Sequence, residues 1–314
     1  MATFDPAAET ARYLAALPPE AHARATAYTQ GGHWLILWGT LVSLAVVFIL
    51  LKSGVLVRLR SRIEARKRRP WLTAFVVVLA AQLITAILTL PWSIYTSWWR
   101  EKSYGLTSQP LAGWLTEWAI SAGIGLVIGS FLMMLFYALL RAAPKTWWIW
   151  GAGLSAVTGA VLVLAAPIFI EPIFNHYTPA PPGPVRDTVV EMAVANGISP
   201  DRIFVYDGSK QSNRYTANVS GLFGSARVAM SDTMFKAGAD IAEVRGVVGH
   251  EMGHYARHHI LIQLGLMIPL LILAFWLVDR LFPLASKLLG ANMDLSHKSA
   301  ADQRKLLDDL AESH

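Results

Sequence analysis

Cysteine is absent from the 314-residue chain. No disulfide can brace it and no thiolate can bind a metal, so any metal must be held by nitrogen and oxygen donors. Charge is scarce as well: Asp, Glu, Lys and Arg make up 15% of the residues, against 54% hydrophobic. That balance lies outside the range of an ordinary water-soluble domain and points to an integral membrane protein, mainly α, built as a polytopic transmembrane helical bundle. The net charge of +6 does not indicate nucleic acid. Most of the excess falls between Lys52 and Arg69, beside an apolar run, where a juxtamembrane loop meets the anionic headgroups of the lipid bilayer. A basic start followed by a short apolar core is also lacking in residues 1–32, so no cleavable signal peptide is expected.

What the chain has in abundance is long apolar runs. The first expected span covers 34–57, flanked by Trp34 and Trp38, and is followed by the polybasic loop Arg58 to Arg69. A second covers 71–90 and ends in an aromatic belt from Pro91 to Arg100; a third covers 114–140 and a fourth 147–170. Composition shifts after Glu171. The Pro-rich piece Tyr177 to Pro184 reads as a stiff linker. Beyond it come a helix near Val185 to Asn196, a strand Arg202 to Tyr206, an extended run to about Gly221 and a third run from Ala226 to Met230.

The strongest local signal is Gly249-His250-Glu251-Met252-Gly253-His254-Tyr255, which contains HExxH. On a helix, residues i and i+4 share a face, so His250 and His254 can converge on one ion with Glu251 beside it. Neutral imidazoles are good zinc ligands, and a carboxylate next to a water in a partly open metal site can take its proton as it attacks a carbonyl. The motif therefore reads as metal-assisted hydrolysis. A chance match in a chain of this composition is expected roughly 0.01 times, which makes coincidence a poor account. Asp240 and Glu243 have the spacing of a capping box that opens the motif helix. The bland alternative is a polar surface helix whose histidines pair with neighbours.

The expected organisation is then an N-terminal segment (1–33), four spans in 34–170, a small α+β zinc-peptidase insert (171–260), a fifth span (261–283) and a polar tail (284–314) holding an amphipathic helix over 300–311. Because the fifth span starts only seven residues after His254, the site must lie close to the membrane surface or in a cavity just within it.

Several stretches together resemble the CaaX prenyl protease type 1 family of integral-membrane zinc endopeptidases. They are Leu90 to Tyr95 with Glu101 to Leu106, Ile168 to Asn175 with Tyr177-Thr178-Pro179, Asp207 to Asn213, Arg227 to Thr233, and Val248 to His254. The resemblance runs from about Trp71 to Val278 in matching order and spacing. It implies that His250 and His254 bind zinc, that Glu251 is the general base, and that Tyr215 to Gly221 forms a strand beside the cleft. An extended peptide could lie along that strand by strand addition.

The family's third zinc ligand is a glutamate in a Glu-x-x-Ala-Asp segment after two further spans. Here only one span follows the motif, and the look-alike ending in Ala301-Asp302 has Lys298 at the ligand position. The third metal ligand is thus unknown. His258 lies one turn beyond His254, but i and i+8 on a straight helix are roughly 12 Å apart, too far to share an ion without a break. Asp308, Asp309 and Glu312 could fold back, with nothing in the sequence to position them. The simplest reading is a truncated or frame-shifted family member. Orientation is divided too: the basic loop argues for an inside position, which by counting spans puts the insert outside, whereas the resemblance implies a cytosolic site.

The expected function is that of a membrane zinc metalloendopeptidase, cleaving peptide or protein substrates by attack of zinc-bound water, either in CaaX processing or in membrane protein quality control. The alternative is a catalytically impaired relative without its third ligand. A transporter is disfavoured because the spans carry few ionisable residues.

Overall fold

The structure, a computed structural model, describes residues 5–66, 69–221 and 226–289. It opens with α1 (Pro6–Ala16), whose first turn is capped by the Asp5 carboxylate, and α2 (Pro19–Ser53). The Ala-rich stretch before Trp34 is helical from Pro19 onward, with that proline at the first helical position, and the helix continues through Gly31 and Gly32. Gly54, at φ +64, ends α2 in the left-handed conformation that glycine tolerates best.

The polybasic segment corrects the sequence reading. As far as Arg66 it is not a loop: α3 (Val55–Arg66) carries Arg58 to Arg66 and packs against α4 (Pro70–Ser93). Arginine is a good helix former, and the half-buried Val55, Leu59 and Ile63 recur every fourth residue as the packed stripe. Arg60 Nε also donates to Glu64 Oε1 at 2.9 Å across one turn.

The second span likewise runs on past its expected end. A π-helical stretch, Ile94–Trp99, and α5 (Arg100–Ser103) extend α4 through the aromatic belt. α6 (Leu111–Ala142) and α7 (Trp147–Ala165) follow, the latter continued by a π-helical stretch at Ala166–Ile170 and by α8 (Glu171–Phe174). The last described helix, α11 (His259–Leu289), takes in residues 284–289, which the sequence placed in the polar tail. Among the described residues, five helical stretches are long and apolar enough to cross a membrane, as expected: 19–53, 70–103, 111–142, 147–174 and 259–288. They pack largely in chain order, α2 on α4, α4 on α6, α6 on α7 and α7 on α11.

Between α8 and α11 lies the small α+β part. Its sheet has the order β1-β2-β4-β3, with β1 (Tyr177–Pro179) antiparallel to β2 (Ile203–Tyr206), β2 parallel to β4 (Arg227–Ser231), and β3 (Ala217–Ser220) antiparallel to β4. The Pro-rich piece read as a linker therefore begins as a strand. It is an edge strand with a proline at its end, a place where a missing N–H does no harm. α9 (Pro184–Ala195) and α10 (Ile241–Ala256) cover one face. The core between them includes Val189, Val228, Met230, Val244 and Val248, all fully buried. Gly249 lets α10 approach α9 closely: a Cβ there would meet the Met192 methyl at 3.3 Å.

Hydrogen bonds fasten this unit to the helix ends. Thr107 Oγ1 donates to the Gln211 carbonyl at 2.6 Å, the Asn213 N–H to the Leu106 carbonyl at 2.9 Å, and Gln211 Nε2 to Glu117 Oε1 at 3.0 Å. Arg214 pairs with Glu101 at 2.9 Å, and Tyr28 donates to the same carboxylate at 2.6 Å, so the N-terminal part of α2 reaches the insert as well.

Candidate metal centre

The motif helix α10 starts where the capping pattern predicted. Asp240 Oδ1 accepts from the Ala242 N–H at 2.8 Å, and Glu243 stands in the first turn, where a negative charge suits the helix dipole. Val244, Val248 and Met252, four residues apart, are buried on the sheet side. At about 100° per residue, that anchoring turns Glu251 to the edge of the buried stripe and His250 and His254 further towards solvent. Accordingly Glu251 is half-buried and both histidines are exposed.

The structure brings the two motif histidines together. His250 Nε2 and His254 Nε2 are 3.0 Å apart, with ring planes at 75°. Two nitrogens each about 2.0–2.1 Å from one tetrahedral zinc stand about 3.3 Å apart, a separation close to that of this pair. Glu251 and His254 border a cavity of about 530 Å³. Val219 and Gly221, at the end of β3, line its other side, which sets the sheet edge beside the motif.

His258 lies just past the end of the motif helix. α10 ends at Ala256, where the Arg257 N–H bonds back to the Gly253 and Tyr255 carbonyls, and His258 takes φ +52, a left-handed conformation unusual for a residue with a Cβ. The helix thus breaks, as a third histidine would require. Yet the ring delivered to His254 is that of His259: His259 Nδ1 lies 2.7 Å from His254 Nδ1. His258 only borders the cavity. No spacing rule could have found His259, since its position depends on the backbone of His258.

Among the described residues, no group of three or more His, Asp or Glu side chains is arranged to hold a metal ion. His254 turns one ring nitrogen to His250 and the other to His259, and these point in different directions. Lys298, Ala301, Asp302, Asp308, Asp309, Glu312 and the expected 300–311 helix lie outside the described residues.

An apolar helical bundle carrying an HExxH helix beside a small mixed sheet defines a multi-pass membrane protein of the metallopeptidase class. Comparison with known families gives the particular one. Residues 8–176 match the model described as CAAX prenyl protease N-terminal, five membrane helices, and residues 179–306 match peptidase family M48. The chain belongs to this family of CaaX prenyl proteases. It is 27% identical over 268 residues to the uncharacterized metalloprotease YhfN of Bacillus subtilis, covering 85% of this chain and 62% of that protein. With CAAX prenyl protease 1 of Saccharomyces cerevisiae it is 30% identical over 179 residues, 56% of this chain and 39% of the relative. The crystal structure of S. mikatae Ste24p superposes with a TM-score of 0.70 over 84% of this chain and 63% of that one, at 22% identity, a likeness of fold. The chain thus spans less than two thirds of the length of these relatives.

Proposed function

We propose that the protein is a membrane-embedded zinc metalloendopeptidase whose working unit is the 171–260 insert. The observation that carries this reading is the 3.0 Å approach of His250 Nε2 to His254 Nε2 with Glu251 on the adjoining cavity wall. His250 and His254 would hold the metal. When bound, zinc supplies Lewis acidity to a water molecule and to the scissile carbonyl. Glu251, half-buried and next to the pair, takes a proton from the attacking water and passes it to the leaving amine. The edge strand β3 has β4 on one side only, so its outer edge is placed to align an extended peptide by main-chain hydrogen bonds, with Val219 and Gly221 facing the cleft.

The substrate class follows from the position of the cleft. Ile260 and Leu261 at the start of α11 form part of the cavity wall, so a polypeptide reaching Glu251 passes along an apolar helix end. A prenylated C-terminal peptide of the kind named for the yeast relative fits that setting, as does an unfolded membrane polypeptide.

One observation favours a second reading, a catalytically impaired relative: the described residues supply two nitrogens and no third donor, whereas catalytic zinc sites ordinarily have three protein ligands. Metal analysis of the detergent-purified chain separates the two. About one zinc per chain, lost in His250→Ala, with cleavage of a reporter peptide reduced about 10²–10⁴-fold in a zinc-loaded Glu251→Gln variant, supports the peptidase. Zinc no higher than in His250→Ala sinks it in favour of the impaired relative.

A further inference from the structure

We propose that His259 is a positioning residue for the metal centre: it holds the back of the His254 ring and fixes the tautomer in which His254 Nε2 presents its lone pair towards His250. The inference rests on the metal-binding reading above and adds a residue to which neither the HExxH motif nor its spacing assigns any part.

The contact is direct. His254 Nδ1 and His259 Nδ1 are 2.7 Å apart, and the rings meet edge to face, with centroids 4.8 Å apart and planes at 72°. A neutral imidazole carries one N–H and one lone pair, so a 2.7 Å contact between two ring nitrogens requires one to donate and the other to accept. His254 Nε2 faces His250 Nε2 at 3.0 Å, and a metal there needs a lone pair on that atom. The proton of His254 therefore sits on Nδ1 and is donated to the lone pair of His259 Nδ1. The partner that orients a metal-binding histidine is commonly a carboxylate or a carbonyl; here it is a second imidazole.

The backbone holds that partner in place. His258, at φ +52, turns the chain between two helices. Its carbonyl accepts from the Leu261 and Ile262 N–H groups at 3.0 and 3.2 Å, so His259 is fixed as the first residue of a 31-residue helix. His259 is thereby anchored to a membrane span, whereas His254 belongs to the insert. The ring contact ties the orientation of one to the other. His259 does not serve as a third ligand in this arrangement, because it approaches the nitrogen of His254 that faces away from His250.

The test is zinc affinity of the full chain in detergent, by competition with a chromophoric chelator, for the parent and for His259→Ala, His259→Phe and His259→Asn. The visible absorption of the cobalt-substituted forms serves as a second readout. Loss of a histidine's orienting partner typically costs 10–100-fold in metal affinity, and that weakening is expected for Ala and Phe. Asn places its amide oxygen close to the position of Nδ1 and should restore affinity to within about threefold, with a parent-like cobalt spectrum. Parent affinity in His259→Ala overturns the inference and leaves the metal reading standing. Equal weakening in Asn and Ala also overturns it, since a role in packing or as a direct ligand would not be rescued by the amide. If the parent itself binds no zinc, the metal reading falls and this inference with it.

Discussion

The Arg227 guanidinium on β4 lies 3.1 Å from the Glu171 carboxylate at the end of the fourth span, and the same nitrogen donates to the Pro167 carbonyl at 2.8 Å. Tyr177 closes the arrangement, donating to Glu171 Oε2 at 2.8 Å beneath the guanidinium. Burial, with the Glu171 carboxylate, pushes the Tyr177 phenol far above its ordinary range, so it remains a donor at any working pH. This joint sets the sheet on the bundle. Arg227→Ala is expected to cost about 1.5–3 kcal/mol, the usual worth of hydrogen bonds to charged groups, and to lower the thermal midpoint in detergent. An unchanged midpoint would refute the idea that the joint bears on stability.

A second joint predicts acid sensitivity. Asp207 Oδ1 accepts from the His176 N–H at 2.8 Å and from Asn175 Nδ2 at 3.2 Å, while Oδ2 meets Lys210 Nζ at 2.9 Å. Burial opposes ionisation of the carboxyl, but Lys210 and these hydrogen bonds outweigh it, and its pKa falls below the ordinary value. A carboxylate depressed in the folded state contributes stability above its unfolded pKa, about 3.9, and loses it as pH falls through the lower folded value. Asp207→Asn should thus be less stable than the parent at pH 7, with the gap closing in acid once the pH has fallen through the lowered folded value. Thermal unfolding at neutral and acid pH checks this; a gap that widens in acid contradicts it.

The turn at His258 offers a test without chemistry. A left-handed conformation costs a residue with a Cβ about 1–2 kcal/mol, partly offset in His258→Gly by about 0.5–1 kcal/mol of extra chain entropy in the unfolded state. The glycine variant should be as stable as the parent or slightly more so, and His258→Val clearly less. Zinc affinity should be unaffected by glycine. Loss of zinc in that variant would show that the His258 side chain itself takes part in binding.

Topology can be read with added cysteines, because the chain has none of its own. α3 lies by the start of α4, whereas the insert bonds to the loop beyond α5, at the other end of the same span. Exposed Arg62→Cys and Lys236→Cys should therefore react with a membrane-impermeant maleimide from opposite faces. Labelling of both from one face would overturn the five-span arrangement.

The spans were legible because apolar length is a local property: about 20 apolar residues cross a bilayer whatever they pack against. The cap at Asp240 and the pairing of His250 with His254 were legible for a similar reason, since helix geometry alone links residues two to four apart. Even where the reading failed, the signal was sometimes present, as in the recurrence of Val55, Leu59 and Ile63 at every fourth residue beneath the arginines of α3. The strand at Tyr177 was masked by its prolines, which exclude helix but not the edge of a sheet.

The sequence by itself therefore determined the membrane class, the apolar helices and the helix on which His250, Glu251 and His254 stand. Tertiary structure decided what no local period encodes. The left-handed turn at His258 chose His259 over His258 as the neighbour of His254. Long-range bonds, Arg227 to Glu171 and Thr107 to Gln211, set the sheet edge and the motif helix on one membrane face. Such contacts join residues 56 and 104 positions apart, and their formation depends on the whole chain having folded.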